Sequence, residues 1–211
     1  MLRSLIAAGP LLCAAAASAS VGLAEWSVYT PGGHQISRND RLKDRHGTCL
    51  HSDTTSTSSK PTVFVSHLKR WRYFEGHVVG ESRSGFFLFD ENSRKVTPFG
   101  SEKLLLSALK HRRIVRALSA WLAAGDGWRE AWYPFMVWRP CKDLLRSKDR
   151  AARTAIGGMS RAECTRALSP ARLTLYRRTT WGRECRRLQQ SKAQADPALT
   201  VFCREIMGKG R

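Results

Sequence analysis

A chain of 211 residues with 36 Lys and Arg against 17 Asp and Glu carries a formal net charge of +19. Its 42% apolar and 25% charged content matches ordinary globular usage, which excludes a chain disordered throughout. The length allows one domain with an appendage and excludes two large ones, while the charge points to an anionic neighbour: nucleic acid, an anionic surface such as a membrane face, or an acidic protein.

Residues 1–24 begin with one cation, Arg3, and run through an apolar stretch from Leu5 to Cys13 into alanines. Small residues follow at Ala17-Ser18-Ala19 and Gly22-Leu23-Ala24. That order predicts a secretory signal peptide cleaved after Ala19 or Ala24. The apolar run is shorter than the ~20 residues a membrane span requires, and Gly9-Pro10 interrupts it. The mature chain is therefore expected to lack a transmembrane segment and to be secreted or periplasmic. Residues 25–60 hold few large apolar groups, a Pro31-Gly32-Gly33 turn and a Ser/Thr-rich run, and are expected to be loop or linker.

The rhythm changes at Thr62. Thr62–Val65, Trp71–Val79, Gly85–Asp90 and Lys95–Phe99 are β-rich runs, and Asp90-Glu91-Asn92-Ser93 supplies a turn between the last two. They predict an antiparallel meander of three or four strands, which needs a cover to be stable. A helix capped by Ser101 supplies it, with Leu104, Leu105, Ala108, Leu109, Val115, Leu118, Trp121 and Leu122 at helical spacing and Gly125-Asp126-Gly127 as its stop. Lys110, His111, Arg112, Arg113 and Arg116 crowd this stretch. A patch of Trp128, Trp132, Tyr133, Phe135, Met136 and Trp138 closes the 61–138 unit and is a candidate docking face.

Residues 139–211 read as short helices. Ser160 to Glu163 is a capping box, and Ser169-Pro170 and Asp196-Pro197 each set a cap before an N1 proline. Cys141, Cys164, Cys185 and Cys203 fall on separate helices at gaps of 23, 21 and 18. In an exported basic segment they predict two disulfides, with three pairings open, and leave Cys49 odd.

Residues 142–192 hold 14 basic and 4 acidic residues. Arginine forks bind phosphate and carboxylate bidentately, so Arg172, Arg177, Arg178, Arg183, Arg186 and Arg187 are candidate polyanion ligands. His67 and His77, with Glu75 between them, are candidates for an acid–base pair on a hairpin. His46, Cys49 and His51 have the residue types of a soft-metal site but lack an evident fourth ligand. No cofactor signature is present. The sequence predicts an α+β protein: a small antiparallel meander packed by a helix, then a disulfide-stapled, Arg-rich helical region. Its leading function is a non-catalytic exported module docking on an anionic surface or acidic partner. The alternatives are a secreted ribonuclease or toxin-like hydrolase using His67 and His77, and a structural part of a cell-envelope assembly.

Overall fold

The structure, a computed structural model, describes residues 26–38, 47–52, 61–147, 154–155, 158–190 and 196–208. Residues 1–24, read above as a signal peptide, and both expected cleavage positions lie outside the described residues, as does His46. The protein is α+β, with two antiparallel sheets and a helical C-terminal region.

The first sheet corrects the loop assignment of residues 25–60. Trp26–Tyr29 (β1), Gln35–Arg38 (β2) and Thr48–His51 (β3) pair in sequence order and continue into Val63–Val65 (β4). A four-residue strand needs only one or two inward side chains, so sparse apolar content is enough here. Val28, Ile36 and Leu50 lie opposite one another across the first three strands and are buried as a row.

The second sheet holds the rest of the expected meander, whose first run, Thr62–Val65, belongs instead to the first sheet because Val63 and Val65 pair with β3: Leu68–Phe74 (β5), His77–Ser82 (β6), Gly85–Asp90 (β7) and Lys95–Phe99 (β8). The Trp71–Val79 run is two strands, because Gly76 turns the chain at φ 68°. Leu122–Ala123 (β9) adds a fifth strand beside β5. Strand alternation sends alternate β7 side chains to opposite faces. Phe87 and Phe89 enter a core shared with Trp26, Val28, Ile36 and Leu50 of the first sheet. Leu88 and Phe86 join Phe74 and Val79 on the other face. Trp26 stacks on Trp71 with ring centroids 5.9 Å apart, joining the sheets.

Glu102–His111 (α1) covers that second face through Leu105 and Leu109. Ser101 caps it as expected, its Oγ accepting from the Leu104 amide. The expected helix through Leu122 is ten residues long and stops at His111. The Ile114 amide donates to the Leu109 carbonyl at 2.9 Å, and the Arg113 amide to Lys110 at 3.1 Å. With Arg113 at φ 58°, these bonds form a Schellman ending, and Ile114 packs in the same cluster as Leu109. The chain has left the helix by this point, and Val115 is 76% exposed despite its helical spacing.

Gly127–Ala131 (α2), a π-helical turn over Pro134–Trp138, Arg139–Arg146 (α3), Arg161–Ala167 (α4), Pro170–Arg178 (α5), Thr180–Gln190 (α6) and Pro197–Met207 (α7) complete the chain. The predicted caps at Ser160, Ser169 and Asp196 all form. Each predicted cysteine sits on its own helix. Cys141 pairs with Cys164 across α3 and α4, and Cys185 with Cys203 across α6 and α7. Cys49 is buried. The aromatic patch read as a docking face packs largely inward instead: Tyr133 and Trp138 are buried against Phe202 of α7. Burying those rings supplies the core that four short helices could not build from their own aliphatic residues.

Candidate functional site

Three of the six candidate arginines are engaged within the fold. The Ser169 cap and Pro170 fix the phase of α5 so that Arg172 and Tyr176 face inward, one turn apart. Both meet Glu130 of α2: Arg172 donates to Oε1, and the Tyr176 hydroxyl donates to Oε2 at 2.7 Å. The Glu130 side chain is only 13% exposed and that of Arg172 23%. Burial raises the Glu130 carboxyl above its ordinary value, and the Arg172 charge opposes that rise. Arg172 is a structural partner, so the sequence reading of it as a polyanion ligand gives way. Arg177 donates to the Ile206 carbonyl near the end of α7. Arg183 lies over the Tyr29 ring, 4.5 Å from its centroid, tying α6 to β1.

The other three point outward. Arg178 pairs with Glu75 at 3.2 Å, Arg187 pairs with Glu184 on its own helix at 3.0 Å, and Arg186 is exposed with no ion pair among the described residues. A second cationic segment lies at the end of α1. Lys103, Lys110, Arg112, Arg113 and Arg116 are all exposed and form no ion pair among the described residues. The β5–β6 turn stands between the two segments: Ala117 bridges Phe74, and Glu75 beside it holds Arg178. Exposed guanidinium and ammonium groups without carboxylate partners are the chemistry that retains phosphate, sulfate or carboxylate ligands.

The histidine pair is not assembled. His77 begins β6 opposite Phe74, whereas His67 precedes Leu68, which pairs with Ser82 at the far end of the hairpin. Six residues of strand put them on the order of 20 Å apart. His77 lies by Glu75, Nδ1 donating to its carbonyl at 2.8 Å, so proton relay between the two rings has no geometry. Cys49 and His51 are both buried on β3. Both His51 nitrogens are engaged, with Ser37 Oγ at 2.7 Å and the Ser52 carbonyl at 2.8 Å, and burial pushes the Cys49 thiol up. No group of three or more His, Cys, Asp or Glu among the described residues is placed to hold a metal.

One buried group escaped the sequence reading. Glu91, read as turn chemistry, is 5% exposed. Its Oε1 accepts from the Thr30 hydroxyl and from the Gly32 amide at 3.0 Å, and its own amide donates to the Gly76 carbonyl at 3.0 Å. His34 Nε2 donates to the Glu91 carbonyl at 3.0 Å. Three turns from both sheets are thereby fastened at one end. Burial raises the carboxyl, with the Thr30 and Gly32 donors acting against it, and Oε2 is buried with no partner among the described residues. Thr30 is fully buried, so this cluster braces the fold and does not present a reactive carboxyl to solvent. A carboxylate beside the Asp90 turn, facing a Thr-Pro-Gly-Gly-His turn, was the available signal.

The chain matches no known family, curated protein or solved structure. Its function must be read from the chemistry of its surface.

Proposed function

We propose that this chain is an exported, non-catalytic binding module that docks on an anionic surface in the cell envelope or extracellular space. The observation carrying this reading is the exposed cationic segment Lys110–Arg116, which has no carboxylate partners among the described residues. A formal charge of +19 makes the long-range attraction strong. Export accords with two disulfides and with the charge, apolar and small-residue order of residues 1–24. No helix among the described residues is long and apolar enough to cross a membrane.

Binding to heparin, RNA and anionic vesicles across a salt series tests the reading. Affinity should fall steeply with salt, because counterions released from the polyanion drive association. Replacing Arg112, Arg113 and Arg116 by glutamine should flatten the log–log slope on a nucleic acid by about 0.7–0.9 for each phosphate no longer neutralised. A flat salt dependence with all three probes would overturn the proposal. Intact mass of the native protein checks export: a chain still carrying residues 1–19 would refute the leader.

A further inference from the structure

The cations at the end of α1 are not alone. Leu104 is 56% exposed, Leu106 52% and Val115 76%, and all lie within the same fourteen-residue segment, 103–116. Leu105 and Leu109 hold the inner side of α1. At 100° per residue, Lys103, Ser107 and Lys110 therefore lie along its outer side, with Leu104 and Leu106 at the two margins. Neutralising the phosphates of a nucleic acid does not call for aliphatic side chains flanking the cations. An anionic bilayer does: aliphatic groups enter the acyl boundary while ammonium and guanidinium groups meet headgroup phosphates.

The backbone at Arg113 adds an independent observation. It occupies the left-handed position that ends α1, at φ 58°, where glycine is the residue of lowest conformational cost. Its side chain is exposed and makes no ion pair among the described residues, so the Schellman bonds and Ile114 packing, which a glycine would keep, owe nothing to the guanidinium. A cation is thus held outward at a site where local stability favours no side chain at all.

We propose that residues 103–116 are a peripheral membrane-docking edge for bilayers carrying anionic phospholipid, with Leu104, Leu106 and Val115 inserted and Lys110, Arg112, Arg113 and Arg116 on the phosphates. This rests on the anionic-surface reading above and assigns its occupant. The full chain is tested by sedimentation with vesicles of phosphatidylcholine, with and without 30% phosphatidylglycerol (roughly one anionic lipid in three). Heparin and RNA serve as soluble controls. The triple variant Leu104→Gln, Leu106→Gln, Val115→Gln should lose at least about tenfold in partition to anionic vesicles while keeping heparin affinity and its salt slope. Each cation removed should cost about fivefold in partition. Arg113→Gly is the sharpest variant, because it should raise the melting temperature and still weaken vesicle binding about fivefold. Vesicle binding unaffected by the aliphatic triple variant would overturn the docking edge while leaving the anionic-surface reading in place. RNA or heparin binding with no preference for anionic over neutral vesicles would do the same. Failure to bind vesicles, heparin and RNA alike would remove both.

Discussion

Replacing Arg172 by methionine keeps a long apolar stem in place and removes the guanidinium from which Glu130 accepts. Glu130 would keep the Tyr176 hydroxyl as a donor to its carboxylate, in a site where the side chain is 13% exposed. Breaking a buried pair from one side costs about 3–5 kcal/mol, and the partial exposure of Arg172 places this case at the lower end. Loss of the guanidinium lying 5.4 Å from the Tyr176 ring centroid adds about 0.5–1 kcal/mol, for a total of about 3–4 kcal/mol. With a urea slope of about 2 kcal/mol/M, the midpoint should fall by roughly 1.5–2 M. The loss should also depend on pH. Burial raises the folded carboxyl of Glu130 above the ordinary value of 4.5, so its stability contribution is fullest below that value and declines as pH rises through the folded one. Without Arg172 the folded value moves further up, and the variant should suffer more at pH 8 than at pH 5. Tryptophan-monitored urea titrations at both values measure this, since Trp181 donates to the Glu130 carbonyl at 3.2 Å. A loss below about 1 kcal/mol at pH 8, or an equal loss at both pH values, would refute the assignment of Arg172 as an internal counter-charge.

Removing Cys141–Cys164 or Cys185–Cys203 frees loops of 23 and 18 residues, and each should cost about 3 kcal/mol in denaturant titrations of the oxidised protein. Thiol titration of the mature chain should find one reactive thiol, Cys49, and only after unfolding; a fast-reacting thiol in the native state would contradict its burial. Glu91→Gln keeps an acceptor for Thr30 and Gly32 without the charge, so its melting temperature should fall less than that of the unmodified chain between pH 5 and 8. A parallel decline in both proteins would show that Glu91 does not titrate with folding. Leu105→Ala should cost about 2–5 kcal/mol and Leu104→Gln less than about 0.5, a contrast set by their burial on α1; similar losses in both would overturn the helix phase.

Features governed by local chemistry were legible from the sequence. Ser160, Ser169 and Asp196 cap their helices because a side-chain oxygen reaches amides two or three residues on, and nothing remote is needed. The meander was legible because β7 alternates its aromatic residues between two faces. The end of α1 was hidden because an arginine stands where a glycine would have signalled the stop. The short strands β1 to β3 were hidden because each contributes so few core side chains that composition averaged over residues 25–60 looks polar. The cationic surface was legible in number but not in orientation. Arg172 and Arg183 differ from Arg186 only in what lies across from them, namely Glu130, Tyr29 and solvent. Such cross-chain partners carry no sequence spacing.

Both disulfides join cysteines that are neighbours along the chain, so neither loop encloses the other. In an oxidising compartment, which the proposed export would supply, each bridge could close once its own helix pair has appeared, without waiting for distant chain. Cys49 emerges before all four of these cysteines, while it is still able to form a wrong partner. In the folded chain its burial in β3 raises the thiol's pKa and so lowers its thiolate content. Burial in the amino-terminal sheet thus disfavours exchange of Cys49 with the disulfides of the carboxy-terminal helices, a task separate from any surface the sheet helps to display.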